Sequence, residues 1–299
     1  MEKQKKMYRN ALLALFLATV FWGSAGVVMK MLLTKFTPYN LLAYRFFLAA
    51  FFLILVFHKR LRQMTKRTFL IGGLMGIVLY LEFLVFTIGL QYTTASKSTF
   101  IIGAYVILVP FAYIIINRRL PKKSSFFGAF LCLVGVMFVL FSDFNTINKG
   151  DFITFFSAAA YAVHVVLTAK VVKKEDPIVL NILQISVAAA FAVVVALLLQ
   201  ETPKNLVVGD ISGIFYLAIV ATIFPYLLSV FGQKYVKTTT AAIILSFESV
   251  VGCVTAVLIL HEAFTWRMGI GAVLIVGSLL ITEVKWSSFL RSGKIRGLN

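Results

Sequence analysis

The chain has 299 residues, 61% hydrophobic and 13% charged, with a mean hydropathy of +0.96 and a formal net charge of +18. Soluble domains carry about 25% charged and roughly 45–50% apolar residues, so this composition excludes a water-soluble fold. The basic residues sit in short clusters between apolar runs, not on one soluble face, which excludes a nucleic-acid partner and reads as a topology signal.

A spanning helix takes about 20 apolar residues, and breaks at charge, Gly/Pro or polar clusters divide the chain into ten such runs. The basic N-terminus followed by an apolar run imitates a signal peptide. That run continues to Leu33, too long for a cleaved segment, so a cytoplasmic tail at 1–10 and a retained first span at 11–33 are expected. Spans at 39–58, 69–91, 97–117 and 124–142 complete a first five-helix unit, 11–142. An extracellular linker at 143–150 leads to a second unit, 151–284. Its spans fall at 151–171, 178–199, 210–231, 238–260 and 265–284, and a basic cytoplasmic tail, 285–299, follows. A helix from 238 to 284 would be about 70 Å long, so the last two spans must break at His261–Thr265. Cys132 and Cys253 both fall inside apolar runs and read as buried membrane thiols.

The basic residues test the count. With the N-terminus in the cytoplasm, inside segments hold 22 of the 29 Lys and Arg residues and outside segments five: Lys35, Lys97, Lys149, Lys204 and Arg267. Lys30 and Arg45 fall within spans. This split obeys the positive-inside rule throughout, and an odd helix count would destroy it.

The two halves repeat. Trp22 and Pro38 match Tyr161 and Pro177 at an offset of 139. Tyr92, Thr94-Ala95-Ser96 and Gly128-Ala129 match Tyr235, Thr238-Thr239-Thr240 and Gly271-Ala272 near an offset of 143. Five spans per unit is odd, so the second unit enters the membrane in the opposite sense, as in secondary transporters. The expected fold is an all-α integral membrane protein of ten helices in two inverted five-helix repeats, with both termini cytoplasmic.

Trp22-Gly23-Ser24, Arg45-Phe46, Phe247-Glu248-Ser249-Val250, and Glu262-Ala263-Phe264-Thr265 followed by Gly269-x-Gly271-Ala272 resemble the drug/metabolite transporter superfamily, EamA type. The resemblance covers about residues 10–285. It implies a bacterial inner-membrane, multi-pass carrier, most often an exporter of amino acids, related metabolites or drugs. The family writes Pro at Ser249 and usually a Glu near Arg119, and this chain departs from it at both places.

Polar groups inside hydrocarbon cost about 2.5–3.5 kcal/mol each for a mid-helix charge, so each needs a reason. Glu82 and Glu248 are the deepest acids; either could bind a substrate ammonium or carry a coupling proton, or be satisfied by a neighbouring helix backbone. Arg45 cannot lose its charge and must find an acid, a substrate carboxylate or the interface by snorkelling. Its repeat mate is Gln184, on one helical face with Asn181, and Glu248 pairs in the same way with Tyr105. Trp22 sits at mid-span, where it could stack on substrate or simply pack. Gly23, Ser24 and Gly26, and likewise Gly72 and Gly76, suit close helix approach. Pro110 and Pro225 lie inside spans and are hinge candidates. His164 has no carboxylate within a turn and reads as either a proton relay or a satisfied structural histidine.

No metalloprotease, hydrolase or Walker motif occurs, so an enzyme is not expected, nor a cofactor or a metal. A filter or ring of like charges, the mark of a channel, is also missing. The expected partners are a small-molecule substrate, the lipid bilayer and a coupling proton, and the chain could act as monomer or homodimer. The expected function is secondary transport by alternating access around a mid-membrane cavity. The alternative is a flippase for lipid or lipid-linked intermediates.

Overall fold

A computed structural model describes residues 2–121, 123–140, 148–200, 203 and 205–283. Lys122, Lys204, the segment 141–147 within which the linker begins, and the C-terminal tail lie outside the described residues. Among the described residues all regular structure is helical. The helices are α1 (Glu2–Leu32), α2 (Pro38–Phe57), α3 (Lys66–Tyr92), α4 (Ala95–Asn117), α5 (Lys123–Leu140), α6 (Lys149–Val171), α7 (Pro177–Leu199), α8 (Val208–Tyr235), α9 (Thr238–Leu260) and α10 (Trp266–Glu283). Eight of them are long and apolar enough to cross a membrane; α5 and α10 contribute shorter apolar stretches, Phe126–Gly135 and Trp266–Ile275. The surface matches this composition. Leu13, Phe47, Leu70, Ile115, Leu198 and Leu258, from six different helices, are exposed, a display that water does not tolerate but lipid does.

The sequence repeat has a local structural basis. Thr37 and Asp176 are N-caps, accepting backbone N–H bonds at Asn40 and at Ile178 and Val179, and Pro38 and Pro177 occupy the first helical turn. Proline fits there because its missing N–H would be unpaired anyway. Thus α2 and α7 begin alike. Asn148 and Asp151 form a reciprocal capping box that starts α6. His261, in the left-handed region at φ 53°, ends α9, and the next helix starts at Trp266, so the chain breaks where a 70 Å helix had to. α1 starts at Glu2, about nine residues before the expected span, since polar residues extend it beyond the apolar run.

Equivalent helices of the two halves pack on each other: α2 on α7, α4 on α9, α5 on α10. The remaining major contacts exchange when helix numbers shift by five: α3 with α6 mirrors α8 with α1, and α4 with α6 mirrors α9 with α1. α4 and α9 run antiparallel, because Ala95 and Ser96 meet Glu262, Thr99 meets Gly252, and Tyr105 meets Ala242. Glycines permit the closest approaches. A Cβ on Gly76 would lie 2.6 Å from the Gln184 carbonyl oxygen, and one on Gly23 2.6 Å from the Val251 Cβ. Gly72 likewise admits Leu183, so the Gly72/Gly76 stripe of α3 seats α7.

Candidate functional site

Three helices depart from regular geometry where the halves meet. α4 is interrupted at Ala104, between Ala95–Gly103 and Tyr105–Asn117, and α9 at Ser246 and Phe247, between Thr238–Leu245 and Glu248–Leu260. Ala104 and Phe247 are 143 residues apart, the offset of the repeat. α8 widens into a π-helical stretch, Tyr216–Ile223, immediately before Pro225. Discontinuous helices at the repeat interface leave backbone groups free to meet other partners.

Arg45 uses this. In an α-helix the Ala221 carbonyl would accept from residue 225, but Pro225 has no N–H. The Arg45 Nη2 donates to that carbonyl at 2.9 Å, and Nε donates to the Thr222 Oγ1 at 2.7 Å. Nη1 reaches the Met29 Sδ at 3.1 Å, and the guanidinium lies 4.5 Å from the centroid of the Phe83 ring. Arg45 is 0% exposed; it does not snorkel.

The guanidinium borders a central cavity with room for about 30 Å³ in this conformation, the space of about one or two water molecules. The cavity is well short of the roughly 300–1,000 Å³ of small-molecule sites, so a metabolite fits there only once the two halves part. Both halves line it: Trp22, Arg45 and Glu82 from the first, Tyr161, Tyr226 and Glu248 from the second. Trp22 stands edge-on to Tyr226 and Tyr161, with centroids 5.0 and 6.3 Å away. Its Nε1 is buried without a hydrogen-bond partner, as is the Glu82 Oε2. The Tyr161 hydroxyl reaches Glu248 Oε2 only at 3.5 Å. Tyr105 does not line the cavity: its ring packs against that of Tyr161, centroids 4.3 Å apart and planes tilted by 39°, and its hydroxyl donates to the Ala242 carbonyl.

A buried polar chain leads away from Glu82. The His164 Nδ1 lies 3.8 Å from Glu82 Oε2, and Nε2 lies 3.0 Å from the Gln184 Oε1. Gln184 Nε2 donates to Asn181 Oδ1 at 2.6 Å, and Asn181 Nδ2 donates to the Tyr226 carbonyl. With the amide oriented in this way, the imidazole donates from Nε2 and presents Nδ1 to Glu82. The carboxylate lacking within a turn of His164 is supplied by another helix. Pro110 lies away from the cavity, in a niche beside Ala129 and Ile243, and α4 breaks at Ala104 instead.

One turn from the cavity along α1 and α4, charged groups close helix ends. Lys30 Nζ donates to the carbonyls of Leu90, Gln91 and Thr93 at the end of α3, and both Glu262 oxygens accept backbone N–H groups, of Ala95 and Ser96, at the start of α4. Each charge complements the helix dipole it meets. Thr93 also donates to Asp151.

Tyr161 and Tyr226 were not singled out as site residues in the sequence, although Tyr161 was visible as the repeat mate of Trp22. A tyrosine in an apolar helix carries no mark of which way it faces.

The sequence matches the model of the EamA-like transporter family twice, over residues 9–141 and 148–284. An uncharacterized transporter of Archaeoglobus fulgidus is 29% identical over 288 residues, covering 95% of this chain and 88% of the relative. The uncharacterized transporter YyaM of Bacillus subtilis is 24% identical, covering 88% and 90%. A solved crystal structure at 16% identity superposes with a TM-score of 0.73 over 93% of this chain and 98% of its own, a likeness of fold. With two family repeats and eight or more apolar helices, this multi-pass membrane protein belongs to the EamA-like transporter family.

Proposed function

We propose that the protein is a secondary carrier that exports small metabolites, amino acids and their relatives, by alternating access about the central cavity. In this reading ten helices cross the membrane as two inverted repeats, 11–142 and 151–284, and both termini, 1–10 and 285–299, are cytoplasmic. The distribution of basic residues supports that orientation. Trp22, Glu82, His164, Gln184 and Glu248 form the binding and coupling machinery, with Arg45 and Tyr105 positioning the helices around it; Glu82 with His164 is the place for a coupling proton. Pro225, beside the π-helical stretch, serves as a hinge, and in α4 the interruption at Ala104 takes the place of Pro110.

The observation that carries the proposal is the cavity itself: buried carboxyl groups and aromatic rings from both halves converge where equivalent helices meet. Rocking one half against the other would present that cavity to each side in turn. The test is an untargeted metabolite profile of culture medium from cells producing the native protein or Glu82→Gln. A compound that accumulates outside only with the native protein is the expected result. Identical media contradict export, and lipid scrambling in proteoliposomes then distinguishes a flippase.

A further inference from the structure

The polar groups of the cavity are not equally available, and their inventory narrows the substrate. Arg45 is the cation among the cavity's charged side chains, and three of its five N–H donors are committed to Ala221, Thr222 and Met29. Its ring-facing surface is taken by Phe83. It acts as a brace between α2 and the irregular part of α8. The acids are the reverse case. Glu82 Oε2 is buried with no hydrogen-bond donor, and the nearest donor to Glu248 Oε2 is 3.5 Å away. Among the described residues neither carboxyl lies within 4.0 Å of the guanidinium; the side-chain nitrogen that approaches Glu82 is His164 Nδ1, at 3.8 Å. Around the acids stand the rings of Trp22, Tyr161 and Tyr226, and rings attract cations through their faces. The Trp22 indole lines the cavity, and its Nε1, buried and unpartnered, is one neutral donor left over.

We infer that the cavity takes an organic amine with one positive charge, an apolar or aromatic body and a neutral hydrogen-bond acceptor, but no carboxylate. The ammonium supplies the donor that Glu82 lacks and a closer one for Glu248. The body lies among the rings of Trp22, Tyr161 and Tyr226 when the halves part to admit it, and the acceptor meets the indole N–H of Trp22. A substrate carboxylate would find its cation already engaged and would lie beside two acids. This inference rests on the carrier reading and narrows its substrate from amino acids to amines derived from them.

Phenylalaninamide, phenylalanine and 3-phenylpropionate share one ring and differ in charge: cation, zwitterion and anion. Calorimetric titration of the purified protein in detergent is expected to give the amide at least a tenfold tighter Kd than phenylalanine, with no binding of the anion. Glu248→Gln and, separately, Glu82→Gln should each weaken the amide at least tenfold, with a thermal unfolding curve showing that each variant is folded. If one variant does not fold, the other decides. Equal or tighter binding of phenylalanine, binding of the anion alone, binding of none of the three, or unchanged amide binding in the folded variants overturns the inference. The medium profile separates this from the carrier reading: export of a zwitterion sinks only the amine inference, whereas identical media together with lipid scrambling in proteoliposomes sink the carrier of small metabolites.

Discussion

Arg45 and Pro225 illustrate how two residues that are each costly in a membrane helix become complementary. The proline leaves a carbonyl without its helical donor, and a guanidinium that cannot shed its charge takes that carbonyl and the adjacent Thr222 hydroxyl. Lysine keeps the charge but not the fork. Arg45→Lys is therefore expected to lower stability by about 1.5–3 kcal/mol, the range for hydrogen bonds to charged groups, measured by reversible unfolding in detergent. If Arg45 instead held a substrate carboxylate, the variant would retain stability and lose binding of acids selectively. Glu82→Gln keeps the shape of the side chain and removes its titration, so gradient-driven transport should disappear while exchange persists at substrate concentrations above the weakened Kd; undiminished uphill transport would exclude Glu82 as the coupling group. Glu82, Glu248, Arg45 and Trp22 were legible in sequence because each is conspicuous within an apolar run. The partner of His164 was not, since Glu82 lies 82 positions away on a different helix and only packing brings them to 3.8 Å.

At the level of the helices, small residues and terminal charges do separable work. Gly76 faces the Gln184 carbonyl, whereas a Cβ on Gly73, three residues earlier, would meet nothing within 4 Å. Gly76→Ala should cost about 1–3 kcal/mol by overpacking, and Gly73→Ala should be neutral or stabilise by up to about 1 kcal/mol through helix propensity; paired unfolding midpoints check both. Equal effects would mean that α3 does not seat α7 through this stripe. Glu262→Gln removes one of two acceptor oxygens and the charge at the start of α4, with an expected loss of about 1–2 kcal/mol. The N-caps, the prolines after them and the break at His261 follow from residue type and length. The interruptions at Ala104 and at Ser246–Phe247 do not: no proline marks either one, and the prolines that do occur inside spans misdirect attention to 110. The breaks arise where two antiparallel half-helices, α4 and α9, cross at the centre of the bundle. That constraint belongs to the tertiary arrangement and leaves little trace in local sequence.

Across the whole molecule, the repeat seen as scattered matches at offsets of 139 and 143 becomes a set of exchangeable helix contacts. Composition, span count and odd repeat length are whole-chain properties, which is why the architecture was more legible than the site. Alternating access requires one cavity to communicate with both sides of the membrane, never with both at once. Ala25 lines that cavity and is 5% exposed, and cysteine adds only one heavy atom there. In a background with Cys132 and Cys253 replaced by serine, Ala25→Cys should react with a membrane-impermeant thiol reagent in inside-out and in right-side-out vesicles, at different rates. Glu262→Gln, by loosening the helix-end cluster, should raise the rate in right-side-out vesicles and lower it in inside-out ones. Reaction from one side only, unchanged by Glu262→Gln, would contradict a carrier that alternates about this cavity.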